Sequence, residues 1–281
     1  MGITRLRTTL NLIPLWLAMA AMAAAQSAPQ PALVERALAN EVAAAQDGAH
    51  PMRYVLHKSS PRLTTTKDLV ETRDGLVAML VSVNDQPLTA QNQAREQARL
   101  DGLLSDPGKQ RHRKQTEDDD TARALKVLRA LPAAFVYRDA GPWSAGSGPV
   151  ERFTFTPNPK YSPPDLETQV LTAMSGELWI DPANARVVRL EGRIQQDVDF
   201  GWGILGRLYK GGWITIDQAE VSAGVWRIAK FQMAMSARVV IKTRNFDTTE
   251  IESQYAPVPP ALSYREGIAI LRSGATETAK R

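Results

Sequence analysis

Glycine spacing gives the first candidate for chemistry in this sequence. Gly201, Gly203 and Gly206 match the pattern G-x-G-x-x-G, which in dinucleotide-binding folds opens a helix whose N-terminus holds a pyrophosphate. The pair Gly211-Gly212 follows within a few residues and leaves no length for that helix. The sequence therefore predicts a bend between strands here and not a nucleotide site.

A second candidate is the carboxylate pair Asp197 and Asp199. Two carboxylates two residues apart on a strand point the same way and could hold Ca²⁺ or Mg²⁺ together with loop carbonyls. No third acidic residue falls within a short reach. We therefore expect these groups to be solvated or to bond a turn, and we assign no residue to a metal site.

Nucleophilic catalysis has one candidate, Ser144. Its surroundings approximate a nucleophile elbow but carry one residue too many before the serine, and an elbow also needs a strand, a sharp turn and a helix. His50, His57 and His112 suggest no triad, and the chain contains no cysteine, which excludes thiol nucleophiles and zinc ribbons. The sequence thus predicts no catalytic residue and no cofactor, and a secreted hydrolase remains open without a motif.

The N-terminus has the features of an export signal. Two arginines precede an apolar stretch (residues 10–25) that ends in three alanines, an order typical of a secretory signal peptide. An uncleaved anchor is the alternative, but about 16 apolar residues are fewer than the roughly 20 that a span needs. We expect cleavage near Ala25, a periplasmic or secreted protein, and no transmembrane span.

Composition indicates a globular protein. The chain has 281 residues, of which 43% are hydrophobic and 23% charged, enough for a full core in one or two domains. Without the two arginines of the signal peptide, 32 basic and 30 acidic residues remain. So balanced a charge gives no electrostatic footprint for nucleic acid, and we expect no nucleic-acid partner.

Residue patterns predict a mixture of helices and strands. Apolar residues at helical spacing and punctuation by proline and glycine predict helices at residues 31–46, 89–104, 116–131 and 261–271. Strands are predicted at residues 52–58, 64–72, 76–83, 135–138, 151–156, 176–180, 186–194, 212–217, 226–240 and 243–255, with Asp74-Gly75 as a hairpin turn. Loops rich in glycine and proline are predicted at residues 141–149 and 157–165.

Charge is concentrated in the predicted helical insert, residues 89–131. It contains a basic cluster (residues 109–114) close to an acidic one (residues 117–120). Such a block is typical of a solvated helix face with i, i+4 pairing. The alternative is a surface that binds a protein partner.

Several strands alternate between apolar and polar residues. In residues 186–194, Val188 and Leu190 share a face opposite Arg189. In residues 226–240, Phe231, Met233 and Met235 share another apolar face. Sheets with one apolar and one wet face are antiparallel and covered on one side. We therefore predict an α+β fold in which a single curved antiparallel sheet wraps over the helices.

Tryptophan and methionine are abundant in the second half of the chain. Besides Met233 and Met235, this part contains Trp143, Trp179, Trp202, Trp213 and Trp226. One interpretation is that these side chains fill the sheet core. The other is that the space between sheet and helices is incompletely filled and accepts an apolar guest.

One stretch resembles a known family. Gly-Glu-Leu-Trp-Ile-Asp-Pro at residues 176–182, followed by Arg-Val-Val-Arg-Leu-Glu-Gly at residues 186–192, is similar to the outer-membrane lipoprotein-sorting superfamily, which includes the periplasmic lipoprotein carrier, its outer-membrane receptor and exported bacterial relatives. The resemblance implies an unclosed half-barrel, strongly curved, with helices covering its concave face and an apolar cavity for acyl chains. It carries over no individual site residue.

These observations favour an exported, non-enzymatic binding protein for a lipid, a lipoprotein or another apolar ligand. Strand parity gives the candidate ligand-binding residues, namely Trp202, Leu205, Phe231, Met233 and Met235. The alternative is a protein-interaction or sensor module of the cell envelope that acts through its surface and the charged insert. The predicted domain covers residues 31–272, after a leader (residues 26–30) and before a polar tail (residues 273–281).

Overall fold

An open antiparallel sheet is the framework of the computed structural model, which describes residues 30–145, 148–201 and 206–278. The strands are β1 (Met52–Ser59), β2 (Thr64–Val70), β3 (Val77–Val83), β4 (Gln86–Pro87), β5 (Phe135–Ala145), β6 (Gly148–Pro157), β7 (Met174–Asp181), β8 (Arg186–Ile194), β9 (Val198–Phe200), β10 (Gly206–Leu208), β11 (Trp213–Ser222), β12 (Val225–Val239) and β13 (Lys242–Pro257). The helices are α1 (Gln30–Ala44), α2 (Ala90–Ser105), α3 (Pro107–Ala134), α4 (Leu166–Gln169) and α5 (Tyr264–Thr278), with a 3₁₀ turn at Val170–Ala173.

The strand order places an early and a late strand of the chain side by side and leaves the sheet with two free edges. From one edge to the other it is β4-β3-β2-β1-β13-β12-β11-β8-β7-β6-β5, and β10 extends the row beside β12 and carries β9. The first and last long strands, β1 and β13, are therefore neighbours in the middle of the sheet. The α+β class and the unclosed antiparallel sheet predicted from the sequence are confirmed.

The pairing register identifies the two faces of this sheet. Leu178 pairs with Leu190, Leu190 with Ile216, and Ile216 with Phe231. Directly paired residues lie on the same face of a sheet, so these side chains define one face, here called the inner face. The opposite face, the outer face, carries the residues that alternate with them.

Helices α1 and α3 cover the inner face at β5 to β8. Leu33, Val34 and Leu38 of α1 and Leu131 of α3 form one buried cluster with strand residues. The strand members of this cluster include Phe135, Phe153, Phe155, Leu178, Ile180 and Val187. At roughly 25 cal/mol per Å² of buried apolar surface, this cluster is the main source of hydrophobic stabilisation for α1.

A buried ion pair fixes α1 to the sheet. Arg186 at the start of β8 donates two hydrogen bonds to the Glu41 carboxylate, Nε to Oε1 at 2.9 Å and Nη2 to Oε2 at 3.0 Å. The Val187 N–H and the Gln218 side-chain amide also donate to this carboxylate. Four donors compensate the buried charge, so the contact both orients α1 and fixes its position along β8.

A second core lies at the other end of the sheet. Val70, Val77 and Met79 pack with Ile268 and Leu271 of α5 and with two leucines of α2 (Leu100 and Leu103). Phe231 on the inner face pairs with Glu250, Glu250 with Lys58, and Lys58 with Thr65, so Thr65 also lies on the inner face. Val70 is five residues after Thr65 on the same strand and therefore lies on the outer face. The closing helix α5 therefore packs on the side of the sheet opposite to α1.

The helical insert differs from the sequence prediction in the length of its second helix. A helix was predicted over residues 116–131, whereas α3 begins at Pro107 and includes the whole basic cluster. Proline suits the first turn of a helix, the Asp106 side chain accepts from the Gly108 N–H, and Lys114 pairs with Asp118 one turn on. These local contacts let the helix continue through residues with little apolar content.

Helix α3 joins the two ends of the sheet. Near its start, the Gln110 side chain donates to the Asp74 carbonyl, and Glu117 accepts from the Leu76 N–H in the β2–β3 turn. Near its end, Leu131 is part of the cluster beneath α1. At 1.5 Å per residue its 28 residues span roughly 42 Å, so the insert is an integral part of the core.

Two other local predictions were wrong. Residues 141–149 were predicted to be a loop, but β5 continues to Ala145 and pairs with β6 across Ser144 and Pro149. Val188 was placed with Leu190 on one face, but the pairing shifts between Trp179 and Ile180, so Val187 pairs with Ile180 and joins the core. A bulge reverses the parity of one residue, which alternation alone does not detect. The predicted signal peptide and residues 26–29 of the predicted leader lie outside the described residues, whereas Gln30 begins α1.

Candidate functional site

A stripe of apolar side chains crosses the inner face where the helices end. Ile214 pairs with Met233 and Ile216 with Phe231, from adjacent strands β11 and β12. These four side chains are half-buried, in contrast with the fully buried strand residues beneath α1. We call them the inner stripe. It is apolar surface that continues from the core and is partly exposed to solvent.

The inner stripe is half-exposed because the cover is incomplete. The buried cluster beneath α1 and α3 reaches Val187 and Leu190 on β8, and the next strand, β11, lies beyond it. The fixed position of α1, given by Glu41 and Arg186, holds this margin in place. An apolar surface beside a rigid helical cover is the kind of surface on which an extended apolar ligand can lie.

On β13, next to β12, the inner face carries polar residues. Met233 and Phe231 pair with Thr248 and Glu250 of β13, and Glu250 forms an ion pair with Lys58 of β1 at 2.6 Å. The inner stripe therefore has the α1–α3 cover on one side and a polar margin on the other. A ligand with an apolar chain and a polar end would find both environments on this face.

The polar margin contains a cluster of tyrosines and carboxylates. Tyr54 stacks on Tyr255 with ring centroids 5.2 Å apart, and the Tyr255 hydroxyl donates to the Glu252 carboxylate. Burial raises the pKa of Glu252, although the Tyr255 hydrogen bond lowers it. Burial likewise raises the pKa of Glu71, against the opposing hydrogen bond from the Met52 N–H. These carboxyls therefore gain protons more readily than exposed ones.

An open groove of about 470 Å³ lies at the end of α1. Its lining comes from the last turns of α1, from the turn before β8 and from the β11–β12 turn, and it includes Asn40, Asp47, Arg186, Trp226 and Arg227. The Arg186 guanidinium lies over the Trp226 ring at 5.7 Å. The groove is open to solvent, and none of its lining residues belongs to the inner stripe.

The five predicted ligand-binding residues do not form one group in the structure. Phe231 and Met233 belong to the inner stripe. Met235 packs against a third cluster, formed with Ile194 and Leu208. Trp202 and Leu205 lie outside the described residues.

Sequence reasoning did not single out Ile214 and Ile216, the β11 half of the inner stripe. Both lie in the predicted strand 212–217, and their spacing of two residues was the signal that could have identified them. The contact between Glu41 and Arg186 had no such signal, because these residues are far apart in the sequence.

Two of the three motifs considered first have structural roles in the described residues. Asp199 accepts two hydrogen bonds from Arg207, and Asp197 accepts from the Lys210 N–H, so an arginine bonds the carboxylate considered for a metal. Ser144 lies in a strand of a hairpin and not at a strand–helix turn. Residues 203–205 of the glycine motif lie outside the described part of the chain.

Neither a metal site nor a membrane-spanning helix is found in the described part of the chain. Across residues 30–145, 148–201 and 206–278, no three His, Asp or Glu side chains converge as a metal site would require. Within the same ranges, every helix is too short or too polar to cross a bilayer.

Structural comparison finds solved structures that are similar to this chain at low sequence identity. An outer membrane lipoprotein-sorting protein domain from Vibrio parahaemolyticus is 10% identical, with coverage of 85% of this chain and 99% of that one and a TM-score of 0.34. A LolA superfamily protein from Nitrosomonas europaea is 9% identical, with coverage of 84% and 96% and a TM-score of 0.32. A DUF1329 family protein from Desulfovibrio piger is 10% identical, with coverage of 85% and 98% and a TM-score of 0.31.

Sequence comparison adds nothing to these structural matches, since no family model and no curated protein matches the chain. The structural matches include the superfamily that the sequence resembles. Their TM-scores are below 0.5, so the architecture of this chain rests on its own strand order and register.

Proposed function

We propose that this protein is an exported binding protein that holds an acyl chain or a similar apolar ligand on the inner stripe. The polar margin of β13 and β1 faces the polar end of that ligand, and the apolar part lies beside the edge of the α1–α3 cover. Export follows from the signal peptide expected in residues 1–25. The proposal is for binding without a chemical step.

The observation that carries this proposal is the half-exposure of four large apolar side chains beside a fully buried core. Leu178 and Ile180 are sealed beneath α1, whereas Phe231 and Met233, two strands beyond β8, are left half-open. Each buried methylene stabilises a complex by about 0.8 kcal/mol. Roughly ten methylenes on this surface would contribute roughly 8 kcal/mol before the cost of association is subtracted.

A titration with a fluorescent fatty acid tests the proposal. Met233→Arg puts a charged side chain into the inner stripe, and desolvating that charge against an acyl chain is costly. We expect the variant to bind the probe at least about tenfold more weakly than the wild-type chain, on the order of the 1.4 kcal/mol that a tenfold change requires.

The matched control is Gln232→Arg, the same new side chain one residue away on the outer face of β12. It should leave the affinity for the fatty acid unchanged. Equal weakening by both variants would contradict binding on the inner stripe, and so would no weakening by Met233→Arg in a chain that keeps its circular dichroism spectrum.

The interaction-module alternative depends on the charged insert. In the structure two ion pairs lie within α3, Lys114 with Asp118 and Arg123 with Asp120, and Lys126 of α3 pairs with Asp165 and Glu167 beside α4. Leu125 and Leu131 of the same helix are buried, so deletion of the insert would remove part of the core. The internal pairing does not favour a second function for this segment.

A further inference from the structure

The tip of the β12–β13 hairpin exposes three consecutive aliphatic side chains. Val239, Val240 and Ile241 are 51%, 59% and 86% exposed. Val239 pairs with Lys242, so Val240 and Ile241 occupy the two turn positions. Most large apolar side chains of this chain are at least partly covered, and three exposed in succession at a loop tip form a surface that water disfavours.

The turn residues are also unusual for a two-residue hairpin. Such turns favour glycine, asparagine or aspartate because at least one position needs a positive φ. Here Val240, a β-branched residue, adopts φ 56°, a conformation that branched side chains rarely occupy. Local conformational preference therefore does not explain why aliphatic residues stand at this turn.

Positive charge surrounds the aliphatic tip. From Ser236 to Asn245 the sequence is Ser-Ala-Arg-Val-Val-Ile-Lys-Thr-Arg-Asn, with three basic residues and no acidic one. The neighbouring carboxylate, Asp199, is already bonded by Arg207. Within the described residues, no carboxylate is within ion-pair distance of Lys242 or Arg244, so their charges are available to a partner.

On its β13 side the hairpin also extends beyond the neighbouring strand. Strand β1 pairs with β13 only as far as Ser59 with Thr249, so the segment from Lys242 to Thr248 extends beyond β1. At about 3.3 Å per residue, seven residues extend roughly 23 Å. On the other side β10 pairs with β12 as far as Val239, so Val240 and Ile241 are the residues of the hairpin that extend beyond the paired parts of both neighbouring strands.

We propose that the β12–β13 tip docks on an anionic phospholipid bilayer. Val240 and Ile241 enter the interface between headgroups and acyl chains, and Lys242 and Arg244 contact lipid phosphates. Proteins that bind the surface of an anionic membrane without a transmembrane span commonly combine inserted apolar side chains with neighbouring basic residues. Docking of this kind does not depend on the ligand of the inner face.

Vesicle binding by residues 26–281 tests this docking. We expect sedimentation with vesicles of equal phosphatidylglycerol and phosphatidylcholine and weak binding to phosphatidylcholine alone. Lys242→Gln with Arg244→Gln should weaken binding to the anionic vesicles by on the order of tenfold. Binding that is equal on both vesicle types, or unaffected by this pair of substitutions, would overturn the proposal.

A second variant separates docking from stability. Val240→Gly with Ile241→Asn gives the turn residues that a hairpin prefers, so the melting temperature should stay the same or rise while vesicle binding is lost. Trp143→Gln, at an exposed aromatic near the opposite end of the strands, should bind vesicles like the wild-type chain. Unchanged vesicle binding by the turn variant would overturn the proposal.

A fluorescent label reports insertion directly. The chain has no cysteine, so Ile241→Cys accepts a single environment-sensitive fluorophore, and its emission should shift to the blue on anionic vesicles. A concentration-dependent dimer that forms through this tip, with no shift on vesicles, would overturn the proposal and indicate a second copy as the partner. Met233→Arg should dock like the wild-type chain, which distinguishes failure of docking from failure of the proposed ligand binding.

Discussion

Glu252 shows how a single buried side chain makes the stability of the polar margin depend on pH. Its pKa is raised in the folded chain, chiefly by burial, so the native state holds the proton more tightly than the unfolded chain does. The stability due to this proton is fully present below the ordinary glutamate pKa and is lost as the pH rises through the raised value.

Glu252→Gln should therefore stabilise the chain, relative to wild type, more at pH 7.5 than at pH 4. The expected difference is about 1.4 kcal/mol for each unit by which the pKa is raised, because the amide removes the buried charge and still accepts from Tyr255. Urea unfolding at both pH values measures it, with Glu35→Gln on the exposed side of α1 as the control. An equal effect of Glu252→Gln at both pH values would contradict the assignment.

At the scale of residues, the sequence predicted the inner stripe where the alternation was regular. Phe231 and Met233 alternate with polar neighbours over a long run, so their common face follows from the two-residue period of a strand. Val187 was missed because a bulge shifts its pairing. A bulge depends on the neighbouring strand, so the residues of one strand alone do not reveal it.

At the scale of elements, the position of α1 depends on the ion pair between Glu41 and Arg186. Arg186→Met should leave the carboxylate buried with fewer donors and cost about 3–5 kcal/mol of unfolding free energy. Guanidinium denaturation measures this loss. The double variant Glu41→Leu with Arg186→Met should recover much of it, because a buried ion pair can often be replaced by apolar residues without loss. A loss below about 1 kcal/mol for Arg186→Met would show that apolar packing alone positions the helix.

Most elements could be predicted because their signals are local. Helix α1 and strands β1, β8 and β12 lie within a few residues of their predicted bounds. The start of α3 was missed because helical periodicity requires apolar residues, and residues 107–120 are stabilised by caps and ion pairs instead. The turn at Val240 and Ile241 carries no turn residues at all, and such exceptions are expected at functional sites.

At the scale of the whole molecule, the arrangement of strands determines which surfaces are open. Pairing of β1 with β13 brings together two distant parts of the chain, and α3 connects the β2–β3 turn with the buried cluster beneath α1. Local patterns do not contain this information, because the partners are some two hundred residues apart. The result is a sheet with separate cores on opposite faces and an uncovered apolar stripe between α1 and the polar margin.

The most direct test of ligand binding on the inner face is native mass spectrometry of residues 26–281 purified from a bacterial periplasm, with organic extraction of the same sample. We predict a stoichiometric increase in mass that extracts as a phospholipid, a fatty acid or an acylated peptide, and its absence from Met233→Arg. A ligand-free mass for the wild-type chain, with no uptake of added fatty acid or lipid, would contradict the proposed function.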